Sequence, residues 1–353
     1  VPENIYSTKI FLLAAVSALS LLLAAACPSP AWAAEPQGAE NPRVINLRDS
    51  REAHKVVTED KLRYGVSFLS DSVCGGRATG SLGATAAAMW IENEWRRIGI
   101  KPMGETYSSS FRTRDGKIAR DLIGTLSGSW KGPKAMYVIV MAHYDGLGTI
   151  AGTMYPGADS NASGVVAMNS VGEMFRTMTR VHKTYGRNLI FVALDSKEPA
   201  MEGARHLWDL IQGGFLKDPA SGKVISVEDI AMTVNIDQVG GSANKLKNGN
   251  KDFLIVLGGD GGFSLGALTR ESSRYLLGIE ASGDYFGSEG FTKLFYERVS
   301  DQRIFLENGI KSVLFTSGIT MNNNKPADTA KSLDYGLFKR RVWLIFHWIE
   351  AMI

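Results

Sequence analysis

The chain has 353 residues, 44% hydrophobic and 21% charged, with 38 glycines, a composition suited to a globular protein with a sizeable core. A formal net charge of +3, with both signs interspersed, excludes the basic block that nucleic-acid binding would need. The two cysteines, Cys27 and Cys74, exclude a disulfide framework.

Lys9 precedes an apolar run from Ile10 to Ala26, and Ala31-Trp32-Ala33 offers a small-residue cleavage site. Residues 1–33 therefore read as a signal peptide, and the chain is expected to be exported to the periplasm or beyond the cell. A second reading cuts before Cys27 and anchors the chain by a lipid on that cysteine. A retained membrane anchor would sit at the short limit for spanning, so no stable span is expected after signal removal. Residues 34–57, rich in Pro, Asn, Glu and Arg, read as an extended arm or linker, and 58–353 as one domain.

Thr58 suits the N-cap of a helix over 59–69, and Ser81 that of a second helix carrying Ala86, Met89, Trp90 and Trp95 and ending at Gly99. Met136 opens a run of apolar residues that ends in His143-Tyr144-Asp145. Further strand patterns are NLIFVAL (188–194), MTVNI (232–236), FLIVLG (253–258) and KSVLFT (311–316). Helical patterns fall between and after them, at 162–180, 200–211, 264–277 and 333–352. Alternation of this kind predicts an α/β fold of three layers, a mixed but mostly parallel sheet flanked by helices.

Three of these strands end in ionisable residues. The first leads to His143 and Asp145, with Asp159 in the following glycine-rich loop. The second leads to Lys197-Glu198 and the third to Asp237. In open α/β sheets ligand sites form at the carboxyl ends of strands. One such residue alone reads as a cap or loop charge. His143, Asp159, Glu198 and Asp237 together point to a cation, because clustered buried carboxylates are otherwise costly, and imidazole and carboxylate are zinc ligands.

The runs His143-Tyr144-Asp145, Gly157-Ala158-Asp159 and Asn161-Ala162-Ser163-Gly164 resemble the co-catalytic zinc aminopeptidases. So do Gly76-Arg77-Ala78-Thr79-Gly80-Ser81, Leu122 to Leu126, Ser300-Asp301 and Pro326-Ala327-Asp328-Thr329. The resemblance spans about Lys61 to the carboxyl terminus. It implies two zinc ions, a peptide or small amino-acyl substrate, and hydrolysis by metal-bound water. Carried over residue by residue, His143 matches the first metal ligand and Asp145 the carboxylate that orients it. Asp159 matches the bridging ligand, Glu198 the ligand glutamate and Asp237 the ligand aspartate.

Two positions depart from that pattern. Lys197 stands where the family has its general-base glutamate, and Asn324 where it has a second histidine. His143, Asp159 and Asp237 are thus expected to hold one zinc ion. Lys197 is expected to replace the second cation by pairing with Glu198 and Asp159. The functional expectation is an exported metallopeptidase-like hydrolase of aminopeptidase type, with Asp145 and Lys197 as its catalytic residues. The rival is an inactive pseudopeptidase that uses the pocket for binding. A remote alternative takes Gly262-Phe263-Ser264-Leu265-Gly266 as a serine-hydrolase elbow, for which only His347 follows in sequence. Ser264 otherwise reads as a helix N-cap.

Overall fold

A computed structural model describes residues 47–353, apart from 131, 135, 199, 260 and 261. The signal-peptide, Cys27 and 34–46 expectations lie outside the described residues. Within the region expected to be an extended arm, Leu47–Lys55 forms a helix, α1. It packs against a later helix and buries Ala53, so the arm expectation is corrected over these residues. Tertiary contact overrode a polar composition there.

Helix α2 (Glu59–Leu69) begins at Thr58, whose hydroxyl accepts from the Lys61 amide. Helix α3 (Leu82–Ile98) begins at Ser81, whose hydroxyl accepts from the Ala84 amide. Gly99 closes α3 with φ +94°, a left-handed conformation that a side chain would strain. Trp95 is fully buried on the inner face, whereas Met89 is exposed.

The sheet follows. Strands β1 (Lys101–Pro102) and β2 (Ser108–Arg112) flank β3 (Ile118–Leu126), and β4 (Tyr137–His143) comes next. A small hairpin, β5 (Gly148–Ile150) and β6 (Thr153–Tyr155), precedes helix α4 (Ser163–Arg180). Then come β7 (Asn188–Leu194), α5 (Glu202–Gln212), β8 (Ile230–Ile236), β9 (Phe253–Gly258) and α6 (Gly262–Arg274). The chain continues with β10 (Glu280–Ser282), α7 (Glu289–Arg298), α8 (Gln302–Glu307), β11 (Ser312–Thr316) and α9 (Tyr335–Met352).

The main sheet runs β1-β3-β7-β4-β8-β11-β9-β10, with β2 paired to β3. Its centre is parallel: β4 pairs with β7 and β8, and β8 with β11. Strand β3 joins β7 antiparallel, and β9 joins β11 antiparallel, so the sheet is mixed. Both faces are covered, which explains the unbroken apolar runs. In β4, Val138, Val140 and Ala142 face the core shared with α2, α3, α4 and α9. Tyr137, Ile139 and Met141 face the other core, under α5 and α8. Three layers result, as the pattern predicts. No helix among the described residues is long and apolar enough to cross a membrane.

Candidate functional site at the carboxyl edge of the sheet

The parallel pairing of β7, β4 and β8 brings their carboxyl ends side by side, so His143, Lys197-Glu198 and Asp237 emerge at one edge. His143 ends β4 and is buried. Its Nδ1 lies 3.3 Å from Oδ1 of Asp145 and 3.3 Å from the Asp145 carbonyl oxygen. Oδ2 of Asp145 accepts from the backbone amides of Lys197 (3.0 Å) and Glu198 (3.4 Å). One carboxylate thus orients the imidazole and ties the end of β4 to the end of β7.

On its other side, His143 Nε2 lies 3.6 Å from Oδ1 of Asp237. Oδ2 of Asp237 accepts from the Ser300 hydroxyl at 2.5 Å, and Ser300 accepts from Asn235 Nδ2 at 2.9 Å. The Lys197 ammonium sits 3.7 Å from Asp237 Oδ2 and 3.8 Å from Glu198 Oε1. Asp301 completes the cluster, fully buried, with no hydrogen-bond partner on either carboxylate oxygen.

These groups set one another's charge. Burial and the Lys197 ammonium push the His143 pKa down, yet Asp145 and Asp237 outweigh them and raise it to about 9. Burial opposes the Asp237 charge, but Lys197 and His143 hold its carboxyl well below the usual range. Burial likewise opposes the Lys197 charge, and Asp237, Asp301 and Glu198 raise its pKa despite that. Asp301 is pushed up to about 7 by burial, against the pull of His143 and Lys197.

Asp159 is not brought to this cluster. Its Oδ1 accepts from the amides of Gly240 (2.9 Å) and Gly241 (3.2 Å) and from the Ser163 hydroxyl (2.9 Å). Its other oxygen is buried without a partner, and a Cβ on Gly241 would stand 2.7 Å from it. Asp159 therefore holds the loop after β8, with the charge of the buried Arg341 nearby. The next residue, Ser160, lines the pocket instead. The expected pairing of Lys197 with Glu198 and Asp159 is corrected accordingly: the lysine pairs with Glu198 and Asp237. The physical reason is local. The chain is non-helical at Ser160 and Asn161, and the Asp159 carboxylate is taken up by the Gly240 and Gly241 amides and the Ser163 hydroxyl.

Several residues that frame the site stand in the runs that carry the family resemblance, though their spacing alone assigns them no role. Asn161 donates to the Ile236 carbonyl (2.9 Å) and accepts from the Gln238 amide (2.9 Å), joining the pocket turn to β8. Arg77, fully buried, donates to the carbonyls of Tyr144 (2.7 Å), Pro156 (2.7 Å), Gly157 (2.9 Å) and Leu69. Asp328 accepts from the amides of Asp159 (2.8 Å) and Ser160 (3.1 Å), and burial raises its pKa to about 6.

The pocket at this edge is lined by His143, Ser160, Glu198, Asn324, Lys325 and Asp328, around a cavity of about 20 Å³. That volume admits little more than a water-sized group. A catalytic zinc needs three protein donors and an open position. His143 Nε2 and Asp237 Oδ1 face one another without hydrogen-bond partners, the unpartnered Asp301 carboxylate belongs to the same cluster, and the Lys197 ammonium stands beside them. Among the described residues no group of three or more His, Cys, Asp and Glu is arranged to hold a metal ion. The donor set does not fit the two-zinc arrangement that the sequence resemblance implies.

Ser264 is not a nucleophile. It lies inside the first turn of α6 rather than at its cap, and it is buried. Both ring nitrogens of His347 are engaged elsewhere, with His54 at 2.8 Å and Glu350 at 3.2 Å. Cys74 is buried and its thiol pKa is raised by burial, which suits packing rather than catalysis.

The family model described as Peptidase family M28 matches residues 121–349, more than half of the chain. No curated protein matches in sequence. Among solved structures, the chain is similar to the Legionella pneumophila LapA aminopeptidase, at 16% identity and TM-score 0.62, covering 90% of this chain and 78% of that one. It is also similar to BSAP, a zinc aminopeptidase from Bacillus subtilis, at 12% identity and TM-score 0.59, covering 83% and 95%. A glutaminyl cyclase from Macrostomum lignano gives 15% identity and TM-score 0.66 over 89% and 95%. At these identities the structures speak for the fold.

Proposed function

This chain belongs to peptidase family M28, a family of peptidase-type hydrolases, and from that premise we propose that its pocket binds the amino-terminal end of a peptide without two-zinc hydrolysis. The observation that carries the proposal is the Lys197 ammonium, placed within 4 Å of both Asp237 and Glu198. In that position a side-chain cation does the electrostatic work of a bound one, and it cannot release a nucleophilic hydroxide. Nor is it a general base, because its neighbours stabilise its protonated form. Asn324 supplies a neutral amide and Ser160 a neutral hydroxyl, both poor zinc ligands.

The narrow cavity suits a terminal ammonium better than a side chain. Glu198, about half exposed at the mouth, supplies the carboxylate to meet it. Zinc analysis after dialysis against metal-free buffer, paired with an aminoacyl-nitroanilide assay and calorimetric titration with a dipeptide, tests the proposal. We expect no stoichiometric zinc, no turnover, and dipeptide binding that weakens about tenfold or more in Glu198→Gln. Installing Ser160→Asp, Lys197→Glu and Asn324→His together should create zinc uptake. Two zinc ions per native chain would overturn the proposal.

A second reading is favoured by one observation: His143 Nε2 and Asp237 Oδ1 are buried, close and without partners. It makes the chain a one-zinc hydrolase of aminopeptidase type. One zinc per chain together with native turnover would establish it. Export, read from residues 1–33, belongs to either proposal. Amino-terminal sequencing of the mature protein, beginning near Ala34 or at a lipid-modified Cys27, tests that point.

A further inference from the structure

Helix α1 is short, nine residues, and among its described side chains Ala53 is the one buried hydrophobic. A helix of this length is marginal in water without tertiary contacts. Its polar hold comes from 293 residues along the chain: His54 Nε2 lies 2.8 Å from His347 Nε2 on α9. Both rings are fixed in plane. His54 stacks on Trp343 with centroids 4.3 Å apart, and His347 on Tyr275 of α6 at 3.4 Å.

The hydrogen positions in this contact follow from a third group. Oε2 of Glu350 lies 3.2 Å from His347 Nδ1. A carboxylate can only accept, so that nitrogen carries the hydrogen, and Nε2 of the neutral ring is an acceptor. His54 Nε2–H is therefore the donor. No such bond exists when both rings are cationic. Each Nε2 then carries a hydrogen, and two donors meet at 2.8 Å.

The surrounding charges leave nothing to hold a second imidazolium. Glu350 already meets the Lys183 ammonium at 2.5 Å and accepts from the Tyr185 hydroxyl at 3.0 Å. Glu271, on α6, is matched by Arg270 at 2.9 Å and Arg274 at 3.9 Å. Lys339 of α9 lies over the Trp343 ring, and Arg274 over Tyr275. On α1 itself, Glu52 pairs with Lys55.

We propose that the His54–His347 contact is an acid-operated latch: at neutral pH it fastens α1 to α9, and on acidification it releases α1 and uncovers Trp343 while the sheet stays folded. The direction is fixed by linkage. Burial, then His347, holds the His54 pKa down to about 4, and burial lowers that of His347 as well. A released imidazole takes up its proton near pH 6.5. The latch is thus fully present above pH 6.5 and weakens as pH falls towards 4. This inference does not rest on the reading of the carboxyl-edge pocket.

Hydrogen exchange of the folded full chain, read by mass spectrometry at pH 7.5 and pH 5.0 and corrected for intrinsic exchange rates, tests the latch. Protection of residues 51–57 should fall about tenfold or more at the lower pH, while β4 and β7 keep theirs. The double variant His54→Gln, His347→Gln retains donors and acceptors that do not titrate. It should lose this pH response, whether its α1 is docked or open. Unchanged protection of 51–57 in the native chain overturns the proposal. Loss of protection in β4 and β7 in step with α1 does the same, since that is general acid unfolding. An undiminished pH response in the double variant also overturns it.

Discussion

Two regions of this protein bury histidine, and they leave it in opposite charge states. At the carboxyl edge of the sheet, His143 lies between Asp145 and Asp237, and its pKa is raised to about 9. At the seam between α1 and α9, His54 stacks on Trp343 with centroids 4.3 Å apart and shares a hydrogen bond with His347. There burial, then the neighbouring His347, lowers the His54 pKa to about 4. His347 is itself stacked on Tyr275 at 3.4 Å, and burial lowers its pKa although Glu350 pulls the other way. Burial alone does not decide the charge of an imidazole. Two facing carboxylates outweigh it, and aromatic rings do not.

The comparison breaks most sharply at Lys197. Replacing it with Met leaves Asp237, Asp301 and Asp145 facing His143 without their principal cation. Removing one partner of a buried ion cluster costs about 3–5 kcal/mol, so urea unfolding of Lys197→Met should show a loss of that size. A loss below about 1 kcal/mol would mean that the cluster is solvated and the lysine incidental. Ser300→Ala tests the support beneath the cluster. It removes a hydrogen bond to the ionised Asp237 and should destabilise the fold by about 2 kcal/mol in the same assay.

The seam responds to pH with a definite sign. An unfolded histidine takes up a proton near pH 6.5, whereas folded His54 resists protonation until about pH 4. Its stabilising contribution is therefore present above pH 6.5 and is lost as pH falls towards 4. Lys183, Tyr185, Tyr275 and Glu350 surround the pair, and the carboxylate only partly offsets the effect. After allowance for the partial exposure of His54, the loss is on the order of 1 kcal/mol. Thermal unfolding from pH 7.5 to 4.5 should show a flatter profile in His54→Phe than in the native chain. Parallel profiles would assign the acid sensitivity to another site.

How much of this was legible in the sequence follows from geometry. The central strands β4, β7, β8, β9 and β11 were readable because both of their faces are buried, which writes long apolar runs. The short strands β1, β2, β5, β6 and β10, and helices α7 and α8, carry too few buried positions to leave a period. The site divides in the same way. His143, Asp145, Glu198 and Asp237 follow strand ends, where direction is inherited from the pairing register. Asp159 and Ser160 occupy an irregular turn, and no periodicity says which of two adjacent side chains enters a pocket. The pairing of His54 with His347, 293 residues apart, was invisible for a different reason. One partner lay in a stretch whose polar composition suggested no packing.

The clamp by Asp328 has a consequence for the order in which the protein is made. The turn that presents Ser160 is fastened by a carboxylate 168 residues further along the chain, and β8 waits for β11 to take its place beside it. During synthesis, β4, β7 and β8 leave the ribosome well before the residues that complete their edge. Until then, Lys197 and the carboxylates around it belong to an unfinished sheet whose apolar faces need shelter.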